Sequence, residues 1–100
     1  MQIYVSSAGA AISPQIRAYA EYRIFAVLAR YDYVRRARVV LRDEADGRLK
    51  CSVAVDFFDR ASLRASAKGA HTAVTVDAAA ERVAGLLRRT LHPEIAAASH

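Results

Sequence analysis

Between Leu63 and Leu91 the hydrophobic period of the chain changes from two residues to 3.6 across Gly69. Before the glycine, Leu63, Ala65 and Ala67 alternate with Arg64, Ser66 and Lys68, which is the pattern of a strand with one face buried. After it, Val76, Ala80, Val83, Leu87 and Leu91 recur at helical steps, with Arg82 and Arg89 away from the stripe. A strand that feeds an amphipathic helix after so short a link must lie beneath it. This junction therefore commits the chain to a sheet covered by helix on one face, with cations carried on the covering element.

The same two periods organise the rest. Gln2 to Ser6 alternates as a short strand. Ser13-Pro14 is a helix start, since Ser offers an oxygen to unpaired amides and Pro is tolerated where its missing N–H is not needed. Ile16, Ala20, Ile24, Val27, Leu28 and Tyr31 then form a stripe that predicts a helix from Pro14 to about Arg30. Val34 to Asp43 alternates Ala37, Val39 and Leu41 against Arg36, Arg38 and Arg42, a strand with a basic outer face. Glu44-Ala45-Asp46-Gly47 supplies a hairpin turn. The next strand puts Leu49, Cys51, Val53, Val55 and Phe57 inside, with Lys50, Ser52, Ala54, Asp56 and Phe58 outside. The predicted fold is α+β, in the order β-α-β-β-β-α. Its first two strands are parallel neighbours, two hairpins extend the sheet, and both helices lie on one face. At 100 residues this is one domain, over residues 1–92, with a fraying tail from Pro93 to His100.

Fifteen Lys and Arg against ten Asp and Glu give a net charge of +5, and all but Lys50 and Lys68 of the cations are Arg. Guanidinium is permanently charged and binds phosphate in a bidentate way, so the balance favours a polyanionic partner. In the predicted topology Arg36, Arg38, Arg42, Lys50, Arg64 and Lys68 gather on the open sheet face, near Tyr4 and Phe58. A second set, Arg17, Arg23, Arg30, Arg82, Arg88 and Arg89, lies on the helices. A solvated sheet face also carries charge simply to discourage edge pairing. Catalytic readings find less support. His71, His92 and His100 lack metal-ligand spacing, the serines lack a nucleophile signature, and Gly9 and Gly47 fit no phosphate loop. Cys51 stands alone on an apolar face, which excludes an intrachain disulfide. We expect no enzyme, no metal, no cofactor and no small-molecule substrate. The start lacks a basic-then-apolar leader and no apolar run approaches about 20 residues, so no membrane association and a cytoplasmic setting are expected.

Several segments taken in order resemble the ribosome hibernation promoting factor and ribosome-associated inhibitor family. Ala65-Ser66-Ala67-Lys68-Gly69 is similar to its Ala-x-Ala-x-Gly, Val76-Asp77 to its Ile-Asp, and Arg82-Val83 to its Lys-Leu, with Arg89 standing for a later cation. Ile12-Ser13 and Ile16-Arg17 resemble its Ile-Thr-x-x-Leu-Arg, and Arg23 stands where Lys is usual. The similarity spans about Met1 to Leu91. It implies a fold like the double-stranded-RNA-binding domain, docked on ribosomal RNA in the small-subunit channel for messenger and transfer RNA. There it would silence translation without catalysis during stress or stationary phase. It also implies a short form, without the further domain of the long forms. Arg23, Arg82 and Arg89 would contact phosphate, with Arg88 beside them and Arg36, Arg38 and Lys68 in support. The chain departs from the pattern at His71 and Ala73, where Asp and Tyr are frequent, and at Ala26, where Lys is common. With those departures and the aromatics Phe25 and Phe58, the alternative is a protein-interaction or self-association module that no longer binds ribosomes, the self-associating form being a homodimer through the open sheet face.

Overall fold

A computed structural model describes residues 1–9 and 11–91. The elements are β1 (Gln2–Ala8), α1 (Pro14–Leu28), β2 (Val34–Asp43), β3 (Leu49–Phe57), β4 (Leu63–Gly69) and α2 (Thr72–Leu91). They form one sheet in the order β1-β2-β3-β4, with β1 parallel to β2 and the other pairs antiparallel. This is the α+β fold read from the sequence. The tail from Pro93 to His100 and the side chain of Leu91 lie outside the described residues.

Local signals set the boundaries. The Ser13 hydroxyl accepts from the Ile16 amide at 3.1 Å, and Pro14 follows in the first turn of α1. In the β2–β3 hairpin Gly47 takes φ +81, and the Asp46 carboxylate accepts from the Arg48 amide at 3.0 Å. The first helix stops at Leu28, two residues short of the expected end. The Ala29 amide still bonds the Phe25 carbonyl, but the Tyr31 amide turns to Leu28, tightening the chain so that it can enter β2.

The core lies between the sheet and both helices. Ala37, Val39, Leu41, Cys51, Val53, Val55 and Ala67 meet Ala20, Ile24 and Leu28 from α1 and Val76, Ala80, Val83 and Leu87 from α2. Burial pushes the Cys51 thiol up to about 11, so at neutral pH it is an uncharged core group. The helix α2 lies close to β4 because the strand offers only small inward residues there. A Cβ on Gly69 would stand 2.5 Å from Thr75 Oγ1, and that hydroxyl is itself buried and donates to the His71 carbonyl at 2.7 Å.

Both sheet edges are fastened by the helix above them. Arg17 of α1 donates to the Val5 carbonyl on β1, and Arg82 of α2 donates to the Ser66 carbonyl on β4. Each guanidinium occupies an edge acceptor that would otherwise be open to another strand.

Candidate nucleic-acid interface

The register arranges the open face in rows. Because Asp43 pairs with Leu49, and Leu49 with Gly69, Arg42, Lys50 and Lys68 fall side by side across three strands. The next row holds Ser6, Val40, Ser52 and Ser66, and the one after it Tyr4, Arg38, Ala54 and Arg64. Small side chains between two cationic rows leave a shallow depression of about 740 Å³. Tyr4 stands at its β1 margin, half exposed, its hydroxyl donating to Gln2 Oε1 at 2.6 Å.

One residue of this face departs from expectation. Alternation places Asp56 on this outer face, as the register does, but its side chain is only 11 % exposed. Its carboxylate accepts from Ser62 Oγ at 2.6 Å, Arg36 Nε at 2.7 Å and Arg38 Nη2 at 3.1 Å. These donors, Ser62 first, hold the carboxyl far below its ordinary range. Arg36 and Arg38 are therefore anchored from below rather than free, each with donors left over. A carboxyl depressed in the folded state contributes stability in full above its unfolded value and loses it as the pH falls toward the folded one. Asp56→Asn should cost about 1–3 kcal/mol at neutral pH in urea unfolding, a gap that narrows as the pH drops below about 4. A gap constant with pH would mean the charge is not the stabilising feature.

On the helix side the expected cations divide. Arg23, 25 % exposed, lies between the helices, with Nε on Asp77 Oδ1 at 2.9 Å and Nη2 3.6 Å from Glu81 Oε1. The Tyr19 hydroxyl donates to the same Asp77 oxygen at 2.5 Å, and Tyr19 and Arg23 together hold that carboxyl below its ordinary value. Arg23 is thus a clamp between α1 and α2. Arg82 is exposed but gives one donor to the β4 edge. Arg88 and Arg89 are exposed and have no carboxylate at ion-pair distance among the described residues. Lys68 stands 4.0 Å from Asp46, at the limit of an ion pair.

Arg88 and Arg89 are brought together by Gly85, a feature the apolar stripe did not flag. From the place where a Cβ on Gly85 would stand, Arg89 Nη1 is 3.5 Å away and Arg88 Nη2 is 3.9 Å away. Two guanidinium groups thus share a bare stretch of helix one turn beyond Arg82. Arg88 also reaches a crevice between the helix ends that Arg30 lines. Like charges so close repel unless an anion lies between them. The sequence did hold a signal, since a glycine inside an amphipathic helix costs about 1 kcal/mol and asks for a reason. The aromatics set aside for a partner do not join either group. Phe58 lies past the end of β3 with its amide on the Tyr33 carbonyl, and Phe25 lies beside Met1 and Tyr22 on the far side of α1.

Among known proteins, the model of the family described as sigma 54 modulation protein / S30EA ribosomal protein matches residues 3–92. The chain is similar in structure to a ribosomal subunit interface protein from Coxiella burnetii, with a TM-score of 0.79 at 18 % identity, over 89 % of this chain and 96 % of that one. It is similar also to the N-terminal domain of Protein Y from Thermus thermophilus, with a TM-score of 0.74 at 24 % identity, over 89 % and 98 %. No curated protein matches in sequence.

Proposed function

Since the chain belongs to the sigma 54 modulation protein / S30EA ribosomal protein family, we propose that it is a non-catalytic, ribosome-binding inhibitor of translation. It would occupy the messenger- and transfer-RNA channel of the small subunit during stress or stationary phase. The observation that carries this reading is the pair of guanidinium groups converging on Gly85, without a described carboxylate partner. Arg82 and Arg30 extend the pair into a basic tract along the helices, suited to the phosphates of folded RNA. Within the proposed contact set Arg82, Arg88 and Arg89 meet phosphate directly. Arg23 positions the two helices, and Arg36, Arg38 and Lys68 contribute field from the sheet.

Self-association through the open sheet face is the weaker reading. Two copies stacked there would oppose Arg38, Arg42, Lys50, Arg64 and Lys68 with the same cations.

Co-sedimentation with purified small and large subunits over a salt series tests the proposal. Contacts from Arg82, Arg88 and Arg89, with Arg30 of the same tract as a fourth, predict binding to small subunits, with log K falling against log salt at a slope of roughly −3 to −3.5. A slope of roughly −4 to −5, the value for about six contacts, would bring sheet cations into the same interface. Salt-insensitive binding, or none, would remove the proposal.

A further inference from the structure

In that reading the opposite face of the molecule lends the helix tract only its field, and that face has a different chemistry. Its floor is made of Ser6, Val40, Ser52, Ala54 and Ser66, with Tyr4 as a wall. Arg38 and Arg64 stand in one row and Arg42, Lys50 and Lys68 in another, four residues or about 13 Å further along the strands. That span exceeds what one phosphate can bridge, and an extended polynucleotide crosses it easily. An aromatic ring beside a floor of small side chains gives an unpaired base room to lie flat and stack, which a duplex with its bases inside does not use. Three serine side chains on the floor are of the right kind to hydrogen-bond ribose hydroxyls.

We propose that this open sheet face is a second, separate site that binds single-stranded RNA. A base stacks on Tyr4, its phosphate meets Arg38 and Arg64, and the strand runs over the serine floor to Arg42, Lys50 and Lys68. Arg38 is a suitable first contact because Asp56 holds it in place, at little further cost in side-chain entropy on binding. Arg64 and Lys50 have no carboxylate at ion-pair distance among the described residues, so their charge is available. Two copies of the chain suit this face poorly for the reason of like charge given above, whereas a polyanion suits it well.

The test is fluorescence anisotropy at low salt with a labelled oligouridylate of about eight nucleotides. The same oligomer as DNA and an RNA duplex of equal length serve as comparisons. Tyr4→Ala and Arg64→Glu, both at exposed positions, should each raise the Kd for the single strand at least about tenfold. The double substitution Arg88→Glu with Arg89→Glu should leave that Kd within about twofold, even where it abolishes ribosome binding. Circular dichroism melts confirm folding, and Arg64→Gln serves if the Glu variant is unstable. The proposal is overturned if the single strand fails to bind, if the helix variants and not the sheet variants weaken it, or if duplex or DNA binds as tightly. Concentration-dependent dimers of the wild type that Arg64→Glu dissolves would overturn it too, by giving the face to a second copy.

Discussion

Replacing Arg88 and Arg89 together with Glu should lower affinity for small ribosomal subunits at least about 100-fold. Each guanidinium lost removes a charge-assisted contact of about 1.5–3 kcal/mol, and each carboxylate gained adds repulsion from the same phosphates. The fold should survive, because both side chains are exposed and lie off the stripe of Val76, Ala80, Val83 and Leu87 that packs on the sheet. Their cost in the last turn of α2, where cations suit the helix terminus, should stay within about 1–2 kcal/mol. Arg82 is a poorer target, although its place off the stripe recommends it. Arg82→Glu would also release the β4 edge by losing the bond to the Ser66 carbonyl, so lost binding could not be separated from a loosened sheet. Arg48→Glu, in the β2–β3 hairpin, is a control for charge reversal away from the tract; it carries half the charge change and should sediment like the wild type apart from a small general charge effect. Wild-type sedimentation of the Arg88 and Arg89 double variant would take the helix-side tract out of the interface.

The largest expected change in stability is at Gly69. Gly69→Ala should cost about 2–3 kcal/mol, lowering the melting temperature by roughly 10 °C or more. A Cβ placed 2.5 Å from Thr75 Oγ1 must displace a side chain that is 1 % exposed and bonded to the His71 carbonyl. Either α2 lifts from β4, opening the apolar contact, or the hydroxyl turns away and leaves its bond. In a Thr75→Ala background the obstruction is gone, so the same Gly69→Ala change should cost at least about 1 kcal/mol less. Costs that simply add across the double-mutant cycle would show that the close approach of α2 is not what Gly69 serves.

These two expectations separate residues that looked alike in the sequence. Gly69, Asp77, Arg82 and Arg17 carry much of the family resemblance, and each has a structural use. Gly69 admits Thr75, Asp77 joins Tyr19 and Arg23 across the helices, and Arg82 and Arg17 fasten the sheet edges. The motif therefore holds the two helices on the sheet, while Arg88 and Arg89 project with no described carboxylate at ion-pair distance, Glu81 lining the same depression. Part of this was legible beforehand. With Asp43 opposite Leu49 across the hairpin, counting back along both strands places Asp56 opposite Arg36 and diagonal to Arg38. Alternation assigns a side chain to a face and is silent on what stands beside it, so it gives Asp56 as an outer residue and not as the acceptor for two guanidinium groups. The pairing of Arg23 with Asp77 was not legible at all. The two residues are 54 positions apart, and no local period relates one helix to another.

The sequence by itself determined the elements and their order, which face of each is apolar, and therefore a four-stranded sheet with both helices on one side. Periodicity and caps act over a few residues, and short connections leave little choice of topology. Only the tertiary structure decided which of the many cations are free. A guanidinium keeps all of its donors, or only some of them, according to whether a carboxylate or an open carbonyl comes within about 3 Å of it. That distance is fixed by how separate elements pack, which is how Arg23 became a clamp while Arg88 and Arg89 kept no described carboxylate at ion-pair distance.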